Sequence, residues 1–171
     1  MGLEHVHDRT GHALSSGMKA RLQLARALLH AGDRTAWLAV LRAPWCGLTL
    51  ADLHALATGD AVSPFPWLLA DPGALAALST DGSRRVARLA ERLAVVAQER
   101  GERPLGSWLR AAWLALDGPA TVPDVSDLEN AELLFASLDA LEREVGNCPQ
   151  ASAIEAALDG LKASQQGSSE A

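Results

Sequence analysis

Tyrosine is absent from this chain of 171 residues, and five tryptophans with two phenylalanines supply every aromatic ring. Strand-forming aromatics are therefore scarce, and alanine and leucine dominate the 49% hydrophobic share, so the expected fold is all-α. There are only two cysteines, Cys46 and Cys148, with no CxxC spacing, which fits reduced thiols in a cytosol better than a disulfide framework. No apolar run reaches the roughly 18 residues that a membrane helix requires. The opening MGLEHVHDRTGH lacks the apolar centre of a secretory signal. Together these absences predict a cytoplasmic protein with no membrane partner.

The phosphate-cradling loop GxxxxGK[ST] is missing, and so are GxGxxG, HExxH and GxSxG. No catalytic residue and no resident cofactor is nominated. His5, His7 and His12 lie in a polar stretch read as a flexible tail, so no metal site is expected there. His54 and Asp52, two positions apart on one helix, point away from each other.

The length suits one domain. Residues 1–17 read as a flexible tail, 18–161 as an irregular bundle of about seven helices, and 162–171 as a disordered tail. Net charge is −6, but it is unevenly spread. Met1 to Leu116 holds 13 basic against 10 acidic residues, while Asp117 to Ala171 holds 2 against 11. The first part is able to meet phosphate, and the second repels it.

Along the chain, Leu22, Leu24, Ala25, Leu28 and Leu29 recur at helical spacing from Lys19, and Gly32 ends that helix. Asp33 caps a second helix burying Trp37, Leu38, Val40 and Leu41, which stops before Pro44. Thr49 and Asp52 form a capping-box-like pair for a third helix through Leu53 and Leu56. A proline-rich excursion follows, in which Phe65, Trp67, Leu68 and Leu69 need burial. Ser83 to Arg100 is a long helix with Val86, Leu89, Leu93 and Val96 on one face and Arg84, Arg85, Arg88 and Arg92 elsewhere on its surface. Trp108 and Trp113 belong to the core of a helix over Ser107 to Leu116. Ser126 and Glu129 cap a helix running to about Val145, with Leu128, Leu133, Leu134, Leu138 and Leu141 inward, and Ala151 to Leu161 forms the last.

The turn between the second and third helices places Pro44, Trp45, Cys46 and Gly47 in close succession. The run ARLQLARALLHAGDRTAWLAVLRAPWCGLTLADLHAL resembles a segment of the UvrD/RecB/AddA group of superfamily-one ATP-dependent DNA helicases and exonuclease subunits. Leu41, Arg42, Pro44, Gly47, Leu48, Asp52 and Leu53 carry the likeness. WLRAAWLALDGPA and DLENAELLFASLDALE are also similar to that group's helical accessory region, so the likeness spans about Lys19 to Leu161.

The resemblance implies the helical accessory subdomain of a DNA-repair helicase or ATP-dependent exonuclease. Its phosphate loop, with ATP and magnesium, then belongs to motor domains of the same parent chain. In related helicases the equivalent turn, written around Gly-Ile-Gly, meets the duplex DNA backbone. Here Gly47-Leu48-Thr49 stands in its place, with Thr49 where a second glycine is usual. The DNA-binding candidates are accordingly Gly47, Leu48, Thr49, Arg84, Arg85 and Arg88, with bare amides after the turn offering the positive end of a helix dipole. The plainer alternatives are a helix-to-helix turn capped by Thr49 and a solvated arginine face. A separate reading makes the chain a protein-interaction module docking on nuclease-complex subunits.

Overall fold

The computed structural model describes residues 16–145, and among these the chain is all-α. The helices are α1 (Ser16–Leu29), α2 (Arg34–Arg42), α3 (Leu50–Gly59), α4 (Phe65–Leu68), α5 (Pro72–Ala76), α6 (Thr80–Gln98), α7 (Leu105–Ala115) and α8 (Val125–Val145). A 3-10 turn, Gly118–Thr121, links α7 to α8. The first helix begins at Ser16, inside the stretch expected to be tail. The expected helix at 151–161, the histidines at 5, 7 and 12, and Cys148 lie outside the described residues. None of the described helices is long and apolar enough to cross a membrane.

Local chemistry explains the boundaries. Asp33 Oδ1 accepts the Ala36 amide at 2.9 Å and starts α2, while Asp33 Oδ2 takes Arg26 from the last turn of α1 at 2.7 Å. The long helix α6 starts at Thr80, three residues before the expected Ser83, because Ser79 Oγ accepts the Gly82 amide at 2.9 Å. At α8 the cap is Asp124 rather than Ser126: its Oδ1 accepts the Asp127 amide at 3.0 Å and the Ser126 hydroxyl at 2.6 Å. A carboxylate one residue ahead of the helix outcompetes the serine for the first-turn amide.

In the interior, α1 packs on α2, α7 and α8, while α7 also lies along both α6 and α8. Trp108 and Trp113 fill the centre, both almost wholly buried. Each large apolar side chain so removed from water contributes roughly 1.5–3 kcal/mol. The Trp108 indole donates to the Val96 carbonyl at 2.8 Å, and Trp113 meets Phe135 in a tilted pair 5.6 Å apart. Contact between α7 and α8 is close at Gly106, where a Cβ would stand 1.9 Å from the Phe135 carbonyl oxygen.

Two apolar residues fall differently from expectation. Leu133 is 64% exposed, because the inward row of α8 is Ala131, Leu134, Phe135 and Leu138. Trp67 is 71% exposed, since one turn of α4 sends Phe65 and Leu68 inward and leaves its neighbour outside. Arg34 ties this excursion to α2, donating to the carbonyls of Ser63, Asp60 and Ala57 and lying 4.6 Å over the Phe65 ring.

Candidate functional site

The corner after α2 is one helical turn that is not continued. With Pro44 opening it, the amides of Cys46 and Gly47 both reach back to the Ala43 carbonyl, at 2.9 and 2.7 Å. Gly47 adopts φ +66°, a left-handed geometry that reverses the chain at little steric cost only in glycine. Next, the Leu48 amide bonds the Leu41 carbonyl at 2.9 Å, closing the open end of α2, and the Leu48 side chain is buried. Trp45 pins the corner from outside, its indole donating to the Val40 carbonyl at 3.1 Å.

These bonds correct the expected mode of contact. The amides of Gly47 and Leu48 cap α2 and are not offered to a phosphate. Thr49 is exposed, but its hydroxyl accepts the Asp52 amide at 3.1 Å and donates to Asp52 Oδ2 at 2.9 Å. At the first turn of α3 the amides of Leu50 and Ala51 lack an acceptor among the described residues, and both side chains are exposed.

The corner faces the arginine row of α6 across a cleft of about 140 Å³, lined by Pro44, Trp45, Cys46, Arg85, Arg88 and Arg92. Positions 85, 88 and 92 share one side of the helix, whereas Arg84 lies off this cleft and donates to its own helix at Thr80. Arg85 braces the site: Nε donates to Asp81 Oδ2 at 2.6 Å and Nη1 to the Cys46 carbonyl at 3.1 Å. Arg92 is paired with Asp117. Only Arg88 of the three has no ion pair or hydrogen bond among the described residues. Arg92, which shares the helical spacing of 85 and 88, and Trp45 complete the charged and aromatic lining.

Below the corner, Asp52 joins α3 to α6. It is 4% exposed, and it accepts the Ser79 amide at 2.7 Å and the Ser79 hydroxyl at 3.0 Å in addition to Thr49. The Ser79 amide, opposed by burial and helped by the two hydroxyls, holds the carboxyl below its ordinary pKa. Burial pushes the Cys46 thiol up to about 11 despite Arg85 and Arg88, so it stays protonated and unreactive at neutral pH. Among the described residues no three His, Cys, Asp or Glu side chains converge to hold a metal ion.

The structure thus brings Gly47, Arg85 and Arg88 to one place, buries Leu48 behind it, and leaves Thr49 and Arg84 at its margins. No protein-family model, curated protein or solved structure matches this chain, so the family likeness rests on the sequence motifs alone.

Proposed function

We propose that this chain is a helical accessory module of an ATP-driven DNA helicase or exonuclease, one that holds the duplex phosphate backbone and performs no catalysis alone. The observation that carries this reading is Arg88, an unpaired guanidinium in a cleft between two arginines whose charge is already balanced. Phosphate contact of this kind positions a duplex without reading its bases. Leu50 and Ala51 amides replace those of the glycine corner as the main-chain contribution. Nothing in the polar groups nearby resembles a reaction centre: Asp52 has its acceptors occupied and Cys46 is a neutral buried thiol.

The test is duplex binding followed over a salt series. Binding is expected to be weak and to weaken steeply with salt, and Arg88→Ala is expected to reduce the slope of log K against log salt by about 1. Unchanged affinity and slope in Arg88→Ala would exclude the cleft. ATP hydrolysis by the purified chain above a buffer control would exclude an accessory role.

A second reading, docking on other subunits of a nuclease complex, is favoured by a different feature. An apolar groove of about 480 Å³ runs between α1, α4 and α6, with Leu28, Leu69 and Ala94 in its walls, and the exposed Trp67 follows Pro66 at its edge. A module of that kind ignores DNA even at low salt.

A further inference from the structure

The arginine cleft between the glycine corner and α6 has a size and a chemistry that narrow what it can hold. Its volume, about 140 Å³, is that of roughly four or five water molecules, enough for one tetrahedral oxyanion and too little for a stretch of strand. The corner side is fixed. Trp45 is half-buried with its indole bonded to the Val40 carbonyl, and Arg85 is seated by Nη1 on the Cys46 carbonyl at 3.1 Å. A Cβ at Gly47 would stand 3.0 Å from that same Nη1, so the glycine keeps the seat open. Among the other lining residues Cys46, Leu89 and Leu116 are buried and form the floor.

The charge in the cleft is positive and can be redirected. Arg85 and Arg92 pair with Asp81 and Asp117, but both acids are exposed and such pairs are weak, so an incoming anion competes for both guanidiniums. Arg88 is exposed and unpaired, which leaves it free to close onto that anion. Burial raises the Cys46 pKa while Arg85 and Arg88 act against it, so the Arg88 charge faces the corner. Three guanidiniums thus serve one small space. A phosphate monoester has three free oxygens and carries about −1.5 to −2 at neutral pH, whereas a diester has two free oxygens and a single charge. The monoester also has one substituent to lead out of the cleft, where a diester has two.

We propose that the cleft binds a phosphate monoester, with one oxygen to each of Arg85, Arg88 and Arg92 and the substituent lying against Trp45. This rests on the reading that the cleft takes DNA phosphate, and it narrows the contact from the continuous backbone to a phosphorylated strand end. A free nucleotide carries the same group, and the test separates the two sources.

The probes are methyl phosphate and dimethyl phosphate, titrated at matched ionic strength into the full 171-residue, 15N-labelled chain while the Trp45 indole N–H and the Cys46 amide are followed. Methyl phosphate is expected to shift both resonances saturably and to bind about tenfold more tightly than dimethyl phosphate, and Arg88→Ala to remove that preference. A hairpin duplex ending in a 5′-phosphate is expected to bind about tenfold more tightly than the same hairpin ending in a 5′-hydroxyl. Equal affinity for the two hairpins, with the methyl phosphate preference intact, assigns the cleft to a free nucleotide. No saturable shift, or equal affinity for the two esters, would overturn the monoester site; an Arg88-dependent salt slope on closed circular duplex would then leave the accessory-module reading standing without it. Loss of all duplex binding with the methyl phosphate preference retained would do the reverse.

Discussion

Asp52 and Arg21 are the two charged side chains buried most completely among the described residues, and they are buried on opposite terms. Around Asp52 the protein provides three donors from Thr49 and Ser79, and the carboxylate stitches α3 to the start of α6. Around Arg21 it provides an aromatic face and a distant acid, and leaves two N–H groups unanswered. A satisfied buried charge is a structural joint, and its loss breaks contacts that span the fold. An unsatisfied one costs stability, so a hydrocarbon of similar size is able to replace it. The contrast separates two otherwise similar residues into one that joins helices and one that the fold accommodates without joining anything.

The largest effect is expected at the joint. Asp52→Ala removes the shared acceptor of the Ser79 amide and of the Thr49 and Ser79 hydroxyls at a part-buried joint and is expected to cost about 2–3 kcal/mol in denaturant unfolding. A loss under about 1 kcal/mol would mean that water replaces the carboxylate easily. Acid sharpens the same point. Because folding lowers the Asp52 pKa, its contribution is complete above the unfolded value, near 3.9, and fades as pH falls through the lower folded value. Stability measured from pH 6 downward is expected to drop less in Asp52→Asn than in wild type over that acid range.

Neither member of the pair was legible as such in the sequence, for different reasons. Helical spacing identifies the inward faces well: Val86, Leu89, Leu93 and Val96 are all buried, as are Trp108 and Trp113. The same logic places position 21 with 24, 25 and 28, but arginine's usual preference for water argues for the surface. Asp52 was visible only as the partner of Thr49, since Ser79 lies 27 residues away and nothing local announces it. The glycine corner was legible as a turn and not as a contact. Proline and glycine fix the chain reversal, whereas the direction of its amides is set by which carbonyls of Ala43 and Leu41 they meet. Leu133 was misplaced because leucine outranks alanine in apolarity, while helix phase favours Ala131.

An intermediate effect is expected at that corner, which belongs with Asp52 on the scaffold side. Gly47→Ala puts a Cβ on a residue at φ +66° and brings it to 3.0 Å from Arg85 Nη1. The cost is expected to be about 1–2 kcal/mol, mainly from the left-handed backbone, and Gly47→Val to cost more. Any fall in DNA affinity is then expected to track the fall in stability. A variant that keeps full stability but no longer binds duplex would return the corner to the contact surface.

The smallest change is expected where intuition about buried charges predicts a large one. Arg21→Leu keeps an apolar stem against Trp113 and removes a guanidinium whose Nε and Nη2 have no hydrogen bond to lose. What remains is Asp127, half-buried, which solvent reaches once the cation has gone. The unfolding free energy is therefore expected to stay within about 1 kcal/mol of wild type or to rise, as it often does when a hydrocarbon replaces a poorly compensated buried charge. Chemical denaturation of the two proteins side by side decides it. A loss rivalling that of Asp52→Ala would show that Arg21 is held by the fold as firmly as Asp52, and the contrast between the two buried charges would collapse.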